Sequence, residues 1–205
     1  MIHPDTELRL ITPEIGYGPV ATRFIPKGTI AWVLCRFDIV MSQDEVDALT
    51  APYAEIANRY SYVDPEGKSI LCWDNARYMN HHCQPAVRGV LPQFQITVRD
   101  VHPGEELTCE YAECNIDFLA CRCGSPRCRG AIRGTDLIDN AEEWEGEVRS
   151  ALAHAQGVPQ PLLKYLADPE PVRRVLEGRA EPVPMRSFLA PEGAGVHAAQ
   201  LHAPR

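Results

Sequence analysis

Three cysteines, Cys121, Cys123 and Cys128, fall within eight residues around the tight turn Gly124-Ser125-Pro126. A C-x-C step followed by a third thiol beyond such a turn lets three sulfurs converge on one zinc ion, at about 2.3 Å each. A structural zinc takes four ligands, so one more must come from a distant part of the chain. Cys83, Cys114, His81 and His82 are the residues that qualify by type. Arg122, Arg127 and Arg129 favour the metal reading, because cations beside thiolates offset their negative charge. The plainer alternative is three reduced thiols in a turn-rich loop. The N-terminal stretch MIHPDTELRL has no basic-then-apolar pattern, so the expected location is intracellular, with the cytoplasm ahead of the nucleus. In that setting the eight cysteines read as thiols or ligands rather than disulfides.

The chain of 205 residues has room for one domain, or one domain with an appendage. With 45% hydrophobic residues and a formal net charge of -8, its composition is globular. No apolar run approaches the roughly 18 residues of a membrane span. The acidic balance argues against a general nucleic-acid binder and suits a basic partner.

Short strands dominate the first two thirds. Glu7 to Thr12 alternates polar and apolar residues. A glycine turn over Gly16-Tyr17-Gly18-Pro19 and another over Ile25-Pro26-Lys27-Gly28 lead into a β-rich run from Thr29 to Val40. Ser42-Gln43-Asp44-Glu45 has the form of a capping box, opening a helical insert that also takes in Tyr53 and Ile56. Tyr60 to Val63 and Ser69 to Cys72 read as a hairpin, and Phe94 to Arg99 and Glu105 to Tyr111 as further strands. After Asp139 the character changes. Ala141 to Ala155 is helical, with Trp144, Val148, Leu152 and Ala155 near one face, and recurring prolines limit the later helices to about two turns.

Gly16-Tyr17-Gly18-Pro19-Val20-Ala21 fits the loose pattern of dinucleotide-binding folds, but that chemistry needs a helix opening at the glycines. Pro26 and Gly28 interrupt too soon, so a Rossmann reading is set aside. The glycines still allow close approach of a ligand to the backbone.

Four segments, in order, resemble the SET-domain protein lysine methyltransferases. Gly16-Tyr17-Gly18 followed by Ala21 to Gly28 resembles the family's opening stretch. Arg77-Tyr78-Met79-Asn80-His81-His82-Cys83-Gln84-Pro85 is similar to its R-[FY]-[IM]-N-H-S-C-x-P motif. Gly104-Glu105-Glu106-Leu107-Thr108-Cys109-Glu110-Tyr111 is similar to G-E-E-L-T-x-[DE]-Y, and residues 121–130 to the cysteine-rich post-SET segment.

The resemblance implies a mainly β fold of small curved sheets with a short helical insert, in which the Asn80 and Tyr111 segments pass each other in a knot-like crossing. It implies a catalytic body over 7–117 and a zinc-bound post-SET segment over 118–135; composition adds a helical, proline-rich extension over 140–190 and an expected mobile tail over 191–205. It implies S-adenosylmethionine as methyl donor and a lysine side chain of a basic protein or peptide as acceptor. No nucleic-acid or membrane partner is expected, and any oligomer contact would fall to the extension.

By the same resemblance Tyr111 is the catalytic residue, and Gly16, Tyr17, Gly18, Arg77, Asn80 and His81 bind the cofactor. Tyr62 and Cys109 line the substrate channel, with the small Cys109 leaving room for additional methyl groups. Cys83 joins Cys121, Cys123 and Cys128 on zinc. His82, Ala86 and Ala112 depart from the family pattern, and Ala86 removes a side chain that could brace the crossing. These departures keep open a second reading, a degenerate zinc-held module that binds a basic peptide without modifying it. The acidic residues Glu105, Glu106, Glu110, Glu113 and Asp117 surround the proposed catalytic strand; on alternating positions some must face outward, either attracting a basic peptide or forming a solvated edge.

Overall fold

The computed structural model describes residues 1–191; the expected tail lies, apart from its first residue, outside the described residues. Strands β1 (Thr6–Thr12) and β2 (Gly16–Ala21) form an antiparallel hairpin. Gly16 closes the turn with φ +88°, a conformation that side-chain-bearing residues avoid. The β-rich run then divides between two sheets, because a turn near Phe37 separates β3 (Ile30–Val33) from β4 (Ile39–Met41). Every residue of β3 is buried, as expected of a strand covered on both faces.

The insert carries α1 (Gln43–Asp47), whose capping box uses Ser42 and Glu45, and α2 (Tyr53–Tyr60). Next come β5 (Ser61–Val63) and β6 (Ser69–Leu71), which pair with β4 in the order β4-β6-β5. Strands β7 (Val87–Leu91) and β8 (Phe94–Thr97) complete a second three-stranded sheet in the order β3-β8-β7. The cysteine loop is held between β9 (Phe118–Ala120) and β10 (Ala131–Arg133), and the Cys121 N–H donates to Gly130 O at 2.9 Å.

One expectation is corrected. Glu105 to Tyr111 is not a regular strand, because its hydrogen bonds are shared between two neighbours. Leu107 N–H donates to Pro19 O of β2 at 2.8 Å, while Cys109 N–H donates to Asn80 O at 3.0 Å on the other side. His81 and Cys109 form an isolated parallel bridge, so the Asn80 and Tyr111 segments lie side by side. Tyr111 then opens a 3-10 turn, Tyr111–Cys114. The departure at Ala86 does not leave this junction unbraced, since Thr108 accepts the Ala86 N–H at both its carbonyl (3.0 Å) and its hydroxyl (3.1 Å).

Helices α3 (Asp136–Asp139), α4 (Ala141–Ala155) and α5 (Glu170–Leu176) follow. Trp144, Val148, Ala151 and Ala155 of α4 are buried in the same core as Ile30, Phe94 and Ile96 of the β3-β8-β7 sheet. The apolar face of α4 is therefore spent inside the chain. Its last turn presses so closely on Gly28 that a Cβ there would sit 2.9 Å from Ala151 O. A second core gathers Trp32, Met79, Ala86, Val101 and Leu107, and Tyr111 packs against both.

Candidate active site and cysteine centre

The first element of the site is a backbone notch. Gly18 in β2 lies against the Asn80 segment so tightly that an added Cβ would collide with Glu106 Oε1 and sit 2.8 Å from Asn80 Nδ2. Asn80 Nδ2 donates to Tyr17 O at 3.1 Å and to Glu106 Oε1 at 2.7 Å. Gly16, Tyr17, Gly18 and Asn80, expected together at a cofactor, are thus adjacent, and the space beside Gly16 is open. Such a cradle, built where no side chain fits, matches the needs of a ligand that approaches the main chain closely.

The second element is a cavity of about 110 Å³ walled by Tyr62, Arg77, Cys109, Tyr111, Glu113 and Phe188. A single water needs roughly 10–15 Å³ on this measure, so the cavity can hold a chain of several atoms. Ser61 Oγ, Tyr62 Oη, Arg77 Nε and Glu113 Oε1 are buried in its wall without a hydrogen-bond partner. Uncompensated polar atoms around a space mark it as one meant to be filled by a polar or mixed guest. Tyr111 donates its hydroxyl to Met79 O at 3.0 Å, and burial pushes its phenol well above the usual range. Arg77, expected at the cofactor, is also among the residues of this cavity wall.

Phe188 and Glu113 were not singled out for this cavity by the sequence reading. Phe188 comes from a 3-10 turn, Met185–Phe188, nearly 80 residues after Tyr111, and no local pattern marks it. Gly89 admits its ring, since a Cβ there would lie 2.6 Å from it, and Asn115 Nδ2 donates to Phe188 O at 2.9 Å. Glu113 had been read only as part of the acidic run. Two members of that run face inward. Glu110 and Glu113 are buried rather than outward-facing, because Arg88 and Arg129 neutralise them inside the fold. Arg88, 1% exposed, stacks over the Trp144 ring at 4.1 Å and donates to Glu147 at 2.6 Å.

Burial raises the Glu113 carboxyl to about 7, against the pull of Arg88 and the Gly89 N–H. A carboxyl raised in the folded state holds its proton more tightly there. Its contribution favours folding at low pH and is lost as pH rises from the ordinary 4.5 toward 7. Relative to Glu113→Gln, the wild type is expected to lose on the order of 3 kcal/mol between pH 4.5 and pH 8. His81 titrates with the opposite sign, so the two proteins must be compared at each pH by urea unfolding. Parallel stability curves would contradict the prediction.

The third element is the cysteine centre. One ligand atom each from His81, Cys83, Cys121 and Cys123 lie within 4.8 Å of one another. The Cys83–Cys121 and Cys121–Cys128 sulfur separations are both 3.7 Å. A tetrahedron with 2.3 Å bonds sets its sulfurs about 3.8 Å apart, which both separations match; Cys128, expected as a ligand, lies outside the group of four and meets it at Cys121. Cys83 supplies the distant thiol. His82 turns instead to Gln84 O at 2.7 Å, and Cys114 lies in the cavity wall.

The side chain of His81 is the feature sequence left open. The residue was expected at the cofactor, partly through its backbone; the ring Nε2 stands 3.3 Å from Cys83 Sγ and Nδ1 accepts the Tyr111 N–H at 3.3 Å. Burial, aided by Arg129, lowers its pKa to about 3 and keeps the imidazole neutral. The Gly130 N–H draws the Cys128 thiol down to about 7, toward the thiolate a metal requires. Of the three arginines expected to offset charge here, Arg129 donates its backbone N–H to Cys83 Sγ at 3.4 Å while its guanidinium pairs with Glu110 and Asp136, and Arg127 pairs with Glu143 on α4.

A family model described as SET domain matches residues 16–112, from the glycine notch to the residue after Tyr111. Over those residues the chain resembles a SET domain. Among curated proteins it is similar to histone-lysine N-methyltransferase Set2 of Drosophila melanogaster, 27% identical over 150 residues, and to human histone-lysine N-methyltransferase SETD2, 28% identical over 150. Each of these alignments covers 66% of this chain and 6% of the relative. A shorter match, 39% identical over 84 residues, joins it to histone-lysine N-methyltransferase ATX2 of Arabidopsis thaliana, with 37% of this chain and 7% of the relative covered. The chain thus spans under a tenth of the length of these relatives.

Proposed function

We propose that this chain is an S-adenosylmethionine-dependent protein-lysine N-methyltransferase. The observation that carries the reading is the placement of two sites on one crossing. Asn80 Nδ2 bonds Tyr17 O in the glycine notch, and the Tyr111 hydroxyl in the cavity wall bonds Met79 O, so the two sites meet at adjacent residues. S-adenosylmethionine, when bound, supplies an electrophilic methyl group on a sulfonium. Gly16, Tyr17, Gly18 and Asn80 would hold it, and the cavity would admit the lysine side chain.

Methyl transfer to nitrogen needs a neutral amine aligned with the methyl group. A free lysine, with a pKa near 10.4, is almost wholly protonated at pH 7. A cavity walled by Tyr62, Cys109 and Phe188 favours the neutral amine by desolvation. The Tyr111 hydroxyl spends its proton on Met79 O, so its oxygen lone pairs remain to accept from the amine. Alignment of this kind can supply several kcal/mol of rate enhancement. Cys109 offers less bulk than an aromatic residue would, which supports products beyond monomethyl-lysine.

The cysteine centre would hold zinc through Cys83, Cys121, Cys123 and Cys128, with His81 beside it. Its role is structural. The names of the relatives make core histones the first substrate to try, which also favours a nuclear setting as much as a cytoplasmic one. The test is calorimetric titration of S-adenosylmethionine into zinc-loaded protein, then incubation with core histones and mass spectrometry of the products. Saturable binding and lysines carrying two or three methyl groups are expected. Folded, zinc-loaded protein that binds no S-adenosylmethionine would overturn the reading, and monomethyl-lysine alone with enzyme in excess would overturn the assignment of Cys109.

A further inference from the structure

We infer that Glu106 is the anion that receives the α-ammonium group of the cofactor's methionine moiety, an inference that rests on the methyltransferase reading. Three of the carboxylates around the crossing are matched by an arginine. Glu105 faces Arg99 at 3.1 Å, Glu110 faces Arg129 at 2.8 Å, and Glu113 faces Arg88 at 3.7 Å. Glu106 is the exception. Among the described residues no lysine, arginine or histidine nitrogen comes within ion-pair distance of it, and the hydrogen bond it accepts is from the neutral amide of Asn80. A half-buried carboxylate left without a cation is costly unless a ligand brings one.

The surroundings say where that cation would sit. Glu106 Oε1 and Tyr17 O are both reached by the same nitrogen, Asn80 Nδ2, at 2.7 and 3.1 Å. Two acceptors, one of them charged, therefore converge on one point beside Gly18, which the Asn80 amide holds, and the space two residues away at Gly16 is open. An ammonium group, with three N–H donors and a full charge, satisfies this pair better than a single amide does. Burial also holds the Glu106 carboxyl above its usual range, against the pull of the Asn80 amide and of His82, which lies beyond ion-pair distance. The adenine and ribose need no such anion, so the demand falls on the amino-acid end of the molecule.

Three ligands separate the possibilities when each is titrated calorimetrically into zinc-loaded wild type and Glu106→Gln. S-adenosylmethionine carries both the α-ammonium and the sulfonium charge, S-adenosylhomocysteine carries only the ammonium, and 5′-methylthioadenosine carries neither. The substitution is expected to weaken the first two by about tenfold or more and to leave the third unchanged, which also shows that the site is still folded. Unchanged affinity for the first two would overturn the inference. So would a loss confined to S-adenosylmethionine, which would assign Glu106 to the sulfonium, or an equal loss for all three, which would make it a prop of the notch. A wild type that binds none of the three refutes the methyltransferase reading itself, a result distinct from each of these.

Discussion

Tyr111→Phe is expected to lower the rate of methyl transfer by about 100-fold or more while leaving S-adenosylmethionine affinity within about twofold. The substitution removes one oxygen from the cavity wall and little else. Tyr111 packs against both hydrophobic cores, and the Phe ring keeps that packing. The backbone N–H of residue 111 still donates to His81 Nδ1, so the turn that presents the ring survives. What is lost is the hydroxyl, whose hydrogen bond to Met79 O fixes where its lone pairs point. Leaving Met79 O without its donor should cost about 1–2 kcal/mol of stability, measurable by urea unfolding and too little to unfold the chain. Single-turnover kinetics with core histones, alongside calorimetry, would separate chemistry from binding. Retention of most of the wild-type rate would remove Tyr111 from the chemistry and shift attention to the other polar groups in the wall.

Loss of the metal is expected to have the second large effect, felt in both stability and activity. Cys121→Ser should abolish tight binding of one zinc per chain and release the segment around β9 and β10 by several kcal/mol, since metal binding and local folding are one equilibrium. Leu119, Cys121 and Ile132 belong to the main core, but β9 and β10 are only three residues each and cannot order the intervening loop alone. The damage should reach Tyr111 through a continuous chain of contacts. Arg129, one residue after Cys128, donates to Glu110 Oε1 at 2.8 Å, and that same oxygen accepts the Ala112 N–H at 3.1 Å, capping the turn that carries Tyr111. Hydrogen exchange should show protection falling over 118–133 while β3 and β8 remain protected, and methyl transfer should fall with it. Zinc analysis of the wild type at zero equivalents, or a Cys121→Ser variant within about 1 kcal/mol of wild type, would defeat this account.

Both predictions bear on how much of the molecule is written locally. The β1–β2 hairpin follows from alternation and a glycine turn, the start of α1 from Ser42 and Glu45, and the thiol spacing from one ten-residue stretch. These are readable because short-range sterics and hydrogen bonding decide them, with little help from the rest of the chain. The order of the SET motifs was equally legible, and it located the notch and Tyr111. Less visible was the sharing of residues 105–111 between two neighbours, which turned an apparent strand into a strap.

Partners far apart in sequence were beyond any local pattern. Glu106 meets Asn80 across 26 residues, the His81 side chain lies near the thiols of Cys121 and Cys123, and Phe188 reaches the cavity from the proline-rich end of the chain. The acidic run shows the difference most plainly. As a sequence, Glu105 to Asp117 reads as one charged edge, yet Glu110 and Glu113 are buried against Arg88 and Arg129 while Glu106 is left facing β2 without a cation. The sequence by itself determined which residues were available and in what local geometry. Only the tertiary structure decided which charges were neutralised and which were left for a ligand, because in a low-dielectric interior that depends on the few ångströms between residues that the chain brings together from a distance.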